Sequence, residues 1–231
     1  YGVFFGNVVL LPLWLQQFMG YTATWAGFIM APVGVLAILA TPFVGKRVNT
    51  TDPRILSTIA FITFAVVLWM RSLFNTQVDE LTLLIPAFAQ GIPMAFLFVP
   101  LMSLILMGLP PERIPAAAGL SNFVRITAGA FGTSIFTTLW ESRATLHHAQ
   151  LTETINNASI PATQALSDFA TLGLSREQGL TYINHLIDQQ AFMLSANDIF
   201  YASAVLFLGL TAIIWLARPT RISNPLPISS H

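Results

Sequence analysis

The sequence predicts an all-α, polytopic membrane protein whose six transmembrane helices form one half of a larger bundle. Three observations lead there. Hydrophobic residues make up 55% of the chain against 9% charged, and the mean hydropathy is +0.69. A soluble domain carries roughly 25% charged residues, so this chain has too few to clothe an aqueous surface. The charge is also segregated. From Tyr1 to Gly45 nothing is ionisable except the tyrosine phenols, and the acidic residues Asp52, Asp79, Glu80, Glu112, Glu141, Glu153, Asp168, Glu177, Asp188 and Asp198 fall between apolar blocks. The third observation is the opening Tyr1-Gly2-Val3-Phe4-Phe5, already inside an apolar run and without a basic flank or initiator Met. A secretory leader has a basic start and a small-residue cleavage site, so the chain is expected to continue a longer protein whose N-terminal part precedes it. The net charge of +0 gives no footing for nucleic acid, and the absence of Cys excludes disulfides and thiolate metal sites.

A span needs about 20 apolar residues to cross roughly 30 Å of hydrocarbon. Backbone groups cannot stay unpaired in lipid, so such blocks are expected to be helical despite their β-branched content. The first covers 2–18, with Asn7 inside it and Gln16-Gln17 closing it. The second, 24–45, runs into Lys46-Arg47. The third, 55–71, is short, and Arg54 and Arg71 at its ends are expected to snorkel to the two interfaces. The fourth, 81–107, is long enough to tilt. It carries Pro86, Pro93 and Pro100 at seven-residue intervals, hence along one stripe. Each removes a backbone donor and invites a bend. The fifth covers 115–139. Residues 141–197 form a long polar segment, expected to be partly helical, with an apolar stripe of Leu180, Ile183, Leu186, Ile187 and Leu194. The sixth span covers 198–217, and a tail follows over 218–231.

Counting alternately, the connections 46–54 and 108–114 share a side with the tail, and they carry Lys46, Arg47, Arg54, Arg113, Arg218 and Arg221. The positive-inside rule places these in the cytoplasm and 141–197 outside.

Arg125 is the sharpest chemical feature. It lies ten residues into the fifth span, the only formally charged side chain so deep in any block. An Arg at a helix centre costs about 2.5–3.5 kcal/mol on insertion scales, so it faces a bundle interior or a wet cavity. Two readings stay open: substrate binding, gating or proton coupling, and a structural pin to carbonyls of a neighbouring helix. No carboxylate in the spans is available to partner it. Ser121, Arg125, Gly129 and Gly132 share one face by i, i+3 and i+4 spacing, which suits close approach of another helix. Asn122 lies beside that face. Gln90 in the fourth span and Gln16 in the first offer uncharged amides to a cavity, although Gln16 and especially Gln17 equally suit the interface. His147 and His148, adjacent in sequence, point about 100° apart on a helix and would not grip one metal. No metal and no cofactor are expected, and no paired carboxylates or nucleophile–base pair within the spans suggest an enzyme.

The run Gly20-Tyr21-Thr22-Ala23-Thr24-Trp25-Ala26-Gly27, then Ala31-Pro32 and Pro42-x-x-Gly45-Lys46-Arg47, resembles the C-terminal half of the fourteen-helix drug:proton antiporters of the major facilitator superfamily. Ser121-Asn122-Phe123-Val124-Arg125 looks like the fifth helix of that half. Leu146-His147-His148-Ala149-Gln150-Leu151-Thr152 and Ser195-Ala196-Asn197-Asp198-Ile199-Phe200 are similar to the EmrB-like multidrug efflux permeases of this branch. The resemblance covers essentially the whole chain. It implies a proton-coupled exporter of small hydrophobic or amphipathic drugs in a bacterial inner membrane, working with a periplasmic adaptor and an outer-membrane channel. It also implies that Gly45, Lys46, Arg47, Asp52 and Arg54 are a degenerate copy of the superfamily's cytoplasmic loop motif, and that the antiporter motif and membrane carboxylates belong to the absent half. The alternative is a permease of the same superfamily for another solute, such as a siderophore or metabolite. The amides favour drugs modestly, because a sugar or carboxylate site needs more fixed polar groups.

Overall fold

A computed structural model describes residues 1–48, 50–154 and 160–216. The 218–231 tail, with Arg218 and Arg221, lies outside the described residues. Among the described residues seven α-helices follow in order: α1 Gly2–Gln17, α2 Ala23–Val48, α3 Pro53–Arg71, α4 Glu80–Leu106, α5 Ile114–Thr154, α6 Ile160–Thr171 and α7 Arg176–Ile214. A short 3-10 turn, Pro111–Arg113, leads into α5.

Local chemistry sets several starts. Asp52 caps α3 by accepting from the Arg54 N–H at 2.9 Å, with Pro53 at the first helical position. Asp79 caps α4 through the Thr82 N–H at 3.2 Å. Ser175 and Gln178 open α7 with a reciprocal capping box. Gly108, with φ 79°, takes the left-handed conformation where the chain leaves α4, one that glycine adopts without steric cost.

Among the described residues, α2, α3, α4 and α7 are long and apolar enough to cross a membrane. The α1 helix is apolar but has 16 residues, and α5 dilutes its first half with Asn122, Arg125 and many small residues. Phe28, Val35, Ile38, Leu39 and Phe43 of α2 point outward, a pattern for a lipid or protein environment rather than water. The chain is therefore an all-α, polytopic membrane protein.

The helices pack in the order α2–α4–α3–α7–α5–α1, and α1 also touches α2 and α7. Buried aromatic rings join three of them: Phe4 lies edge-on to Phe64 at 5.5 Å, and Phe64 stacks on Phe207 at 5.0 Å. At two of the closest helix contacts the neighbouring backbone leaves no room for a side chain. A Cβ at Gly132 would overlap the Gly2 backbone, 2.6 Å from its Cα, and one at Gly91 would sit 2.6 Å from the Val33 carbonyl oxygen. Small residues thus bring α5 onto α1, the face expected from Gly129 and Gly132, and α4 onto α2. Pro86, Pro93 and Pro100 are all buried and α4 runs through them unbroken.

The polar segment differs most from a loop. Residues 141–154 continue α5, which reaches 41 residues, and 176–197 begin α7, which has 39. At 1.5 Å per residue each is about 60 Å long, twice the hydrocarbon thickness. The expected stripe is only half realised. Ile187 is buried against the bundle, whereas Leu180 and Leu186 are exposed, because Gly179, Ile187, Ala191 and Ser195 form the packed face instead.

Two ends of the bundle can be named by charge. The basic end carries Lys46, Arg47, Arg54 and Arg113; the far end carries Gln16, Arg71, Asp79 and the helical extensions. Trp215 donates to Thr58 Oγ1 at the basic end, and Asn197 donates to the Phe74 carbonyl at the far end, fixing α7 antiparallel to α3. Arg71 does not snorkel as expected. It is fully buried at 0% exposure, because α4 and α7 close over it with Gln90 and Phe200.

Candidate substrate cleft

Arg125 lies eleven residues into α5 and lines a cleft of about 460 Å³ between α4, α5 and the start of α1. Its Nη2 donates to Asn122 Oδ1, one helical turn back on the same face. Its Cζ stands 5.8 Å from the Phe98 ring centroid, within cation–π range. The Phe98 ring is held on its other sides, stacked on Tyr1 at 6.0 Å and edge-on to Phe4 at 5.5 Å. Val99, Met102, Ser103 and Ser121 complete the wall. Among the described residues no carboxylate lies within ion-pair distance of Arg125, and its guanidinium bonds no carbonyl of a neighbouring helix. The cleft therefore offers one half-buried, uncompensated cation on mostly apolar walls. That arrangement attracts an anionic or strongly polar group attached to an apolar body.

The other amides go elsewhere. Gln90, 2% exposed, accepts from Arg71 Nη2. The Arg71 guanidinium sits 6.0 Å from the Phe200 ring centroid, and its Nε and Nη1 have no partner among the described residues. Gln16 is exposed at the far end of α1 and donates to its own Pro12 carbonyl at 3.1 Å. Of the four expected cleft residues, Arg125 and Asn122 come together, while Gln90 and Gln16 do not join them. Phe98, Tyr1 and Ser103 escaped sequence reasoning, since one aromatic or hydroxyl among many in an apolar run carries no spacing signal.

The loop residues gather at one connection. Lys46 and Arg47 occupy the last turn of α2, where cations suit the helix dipole. Asp52 caps the next helix, and Arg54 is half buried, its Nε and Nη2 without a partner among the described residues. Among the described residues nothing lies within 4 Å of a would-be Cβ at Gly45.

On the extensions, His147 Nε2 lies 2.9 Å and Arg143 3.3 Å from the Asp198 carboxylate. His148 turns instead toward Asn184 at 3.2 Å and Asp188 at 3.4 Å. The two histidines diverge as expected, and among the described residues no group of three potential metal ligands forms.

A family model described as Major Facilitator Superfamily matches residues 1–133. The multidrug export protein EmrB of Escherichia coli strain K12 is 43% identical over 220 residues, covering 95% of this chain and 43% of that protein. The fatty acid resistance protein FarB of Neisseria gonorrhoeae is 40% identical over 217 residues, 94% of this chain and 43% of that protein. EmrB of Haemophilus influenzae is 40% identical over 218 residues, with coverage of 94% and 43%. The chain thus spans 43% of the length of these relatives. With a match over more than half its residues, on a bundle of apolar helices, the chain belongs to the major facilitator superfamily.

Proposed function

We propose that this chain forms part of a proton-coupled secondary transporter that exports hydrophobic or amphipathic compounds across a bacterial inner membrane. The observation that carries the proposal is the cleft itself: one cation, Arg125, with no carboxylate partner among the described residues, set among Phe98, Val99, Met102 and Tyr1. Such a site holds an amphiphile by one charged contact and a broad apolar surface, which suits varied ligands better than a sugar needing many fixed polar partners. Relatives named for multidrug export and fatty acid resistance point the same way. Medium-chain carboxylates and weakly acidic drugs fit the charge best.

In this reading the basic end lies in the cytoplasm, and α5 and α7 project their extensions into the periplasm, where an adaptor leading to an outer-membrane channel would dock. The longer relatives' remaining length would supply the facing half of the cavity and the proton-coupling carboxylates. The outward-facing apolar side chains of α2 and of α5, including Phe123 and Phe131, would meet that half or lipid.

The test is resistance. The full-length transporter containing this chain, expressed in an efflux-deficient bacterium, should raise tolerance to decanoate and to a weakly acidic uncoupler, and a protonophore should abolish export of a preloaded dye. Unchanged tolerance with normal membrane expression would defeat the proposal.

A further inference from the structure

One short stretch of α7, from Gln189 to Asn197, ties together both short connections at the far end of the bundle. Gln189 donates to the Phe18 carbonyl, between α1 and α2. The Thr76 hydroxyl donates to Gln190 at 3.4 Å and Asn197 donates to the Phe74 carbonyl at 2.8 Å, both between α3 and α4. The same stretch grips α5. Trp140 donates to the Phe192 carbonyl at 2.9 Å, and the fully buried Ser195 hydroxyl donates to the Trp140 carbonyl at 2.6 Å. Three rings fill the centre: Phe192 stacks on Phe18 at 4.1 Å, and Trp140 lies edge-on to both. His147 with Asp198 and His148 with Asp188 add two more contacts between α5 and α7. Every one of these contacts is made within this chain, whatever covers its outer faces.

The two long helices also lack hinges where they leave the bundle. Sharp helix bends occur at Pro and Gly. From Thr133 to Thr154 α5 has neither, and α7 has neither from Leu180 to Leu208. The prolines lie in other helices: Pro12 in α1, Pro32 and Pro42 in α2, and Pro86, Pro93 and Pro100 in α4. We propose that Gln189–Asn197, with Phe18 and Trp140, is a coupling strut that makes the α5–α7 extension a rigid lever on this bundle. Halves of major facilitators rock against each other during transport, and a lever fixed to one half carries that movement out of the hydrocarbon. From Gln189 back to Arg176 the lever reaches about 20 Å past the strut, so a tilt of about 10° displaces its tip by about 3.5 Å. A protein docked on the tip thus receives the state of the transport cycle. That use of the lever rests on the export reading; its rigidity does not.

Double electron–electron resonance on the full-length transporter in nanodiscs tests the strut. Nitroxides go on Val66→Cys, at the exposed outer face of α3, and Thr181→Cys, exposed on the extension, in an otherwise cysteine-free protein. The distance should be single and narrow, and the same at acid and neutral pH and with or without decanoate. Gln189→Ala/Asn197→Ala cuts a tie to each connection and should broaden the distribution. Ser142→Gly/His185→Gly instead places a hinge in each helix outside the strut, at exposed positions, and leaves the ties intact. It should also broaden the distribution and keep transport in proteoliposomes close to the wild-type rate, yet lower the tolerance of cells. A distance that shifts or splits with pH or decanoate in the unaltered background overturns the proposal, and so does a distribution that stays narrow in Gln189→Ala/Asn197→Ala. Full cellular tolerance in Ser142→Gly/His185→Gly despite broadened distances overturns the lever's role. A wild type that transports nothing defeats the export reading instead, and the distances, which need no transport, still decide the rigidity.

Discussion

Replacing Gln90 with Leu perturbs one buried hydrogen bond and little else, since the two side chains differ little in size. Gln90 Oε1 accepts from Arg71 Nη2, and both residues are essentially inaccessible. A hydrogen bond to a charged group is worth about 1.5–3 kcal/mol, and a buried donor left unmade costs its desolvation. Arg71 already has two nitrogens without a partner among the described residues, so losing Gln90 strips its remaining side-chain acceptor. Breaking a buried charged contact on one side costs about 3–5 kcal/mol, and the loss here should fall near 3 kcal/mol. For a protein of this size, 1 kcal/mol moves Tm by about 2–4 °C, giving a drop of about 6–12 °C. Arg71→Leu alone leaves a buried amide unmatched and should cost about 1–3 kcal/mol. The double variant Arg71→Leu/Gln90→Leu removes both polar groups and should recover most of either loss. Thermal unfolding of the four proteins in detergent, followed by tryptophan fluorescence and circular dichroism, completes the cycle. A single-variant loss under about 0.5 kcal/mol, within the ordinary range of a surface substitution, would refute the reasoning; so would strict additivity in the double variant.

The remaining predictions concern packing, caps and pH. Gly132→Ala should destabilise by about 1–3 kcal/mol, because its Cβ meets the Gly2 backbone. Gly45→Ala meets nothing and should instead stabilise α2 by about 0.5–1 kcal/mol, so opposite Tm shifts distinguish the two helical glycines. Ser195→Ala removes a 2.6 Å bond from a buried hydroxyl to the Trp140 carbonyl and should cost about 1 kcal/mol, read from the same melts. The Thr82 hydroxyl, helped by its backbone N–H, holds the Asp79 carboxyl below the ordinary aspartate range. A depressed carboxyl stabilises the fold above that ordinary range, and the contribution is lost as pH falls through the depressed value. Asp79→Ala should therefore lower Tm at neutral pH and show a shallower acid decline than the wild type.

Much of the bundle was legible because lipid imposes long apolar runs. The α2, α3 and α4 helices lie within a few residues of the blocks at 24–45, 55–71 and 81–107, and Asp52, Asp79 and Lys46-Arg47 mark their ends. The lengths of α5 and α7 were not legible. Hydropathy fades after residue 139 and rises only near 198, yet the backbone stays helical because Trp140, Ser195, His147 and Asp198 tie the two extensions together. Arg71 misled for a similar reason. An Arg at the end of a span reads as a snorkelling side chain, and only the tertiary positions of Gln90 and Phe200 make it a core residue. At the cleft, Arg125 and Asn122 declared themselves because a charge deep in an apolar run is costly and an i, i+3 pair shares a face. Phe98 did not, since its role depends on Tyr1, Phe4 and Arg125 meeting it from two other helices.

The central claim is that Arg125 supplies the charge contact of a substrate cleft in a proton-driven exporter. Its most direct test is pH-gradient-driven transport of a fluorescent medium-chain carboxylate by the full-length transporter in proteoliposomes. Arg125→Gln keeps a polar hydrogen-bonding group and removes the charge, and it should cut the rate at least about tenfold, equivalent to about 1.4 kcal/mol. Arg125→Lys should retain part of the activity, with all three proteins melting alike. An Arg125→Gln transporter that moves the carboxylate at the wild-type rate would contradict the account.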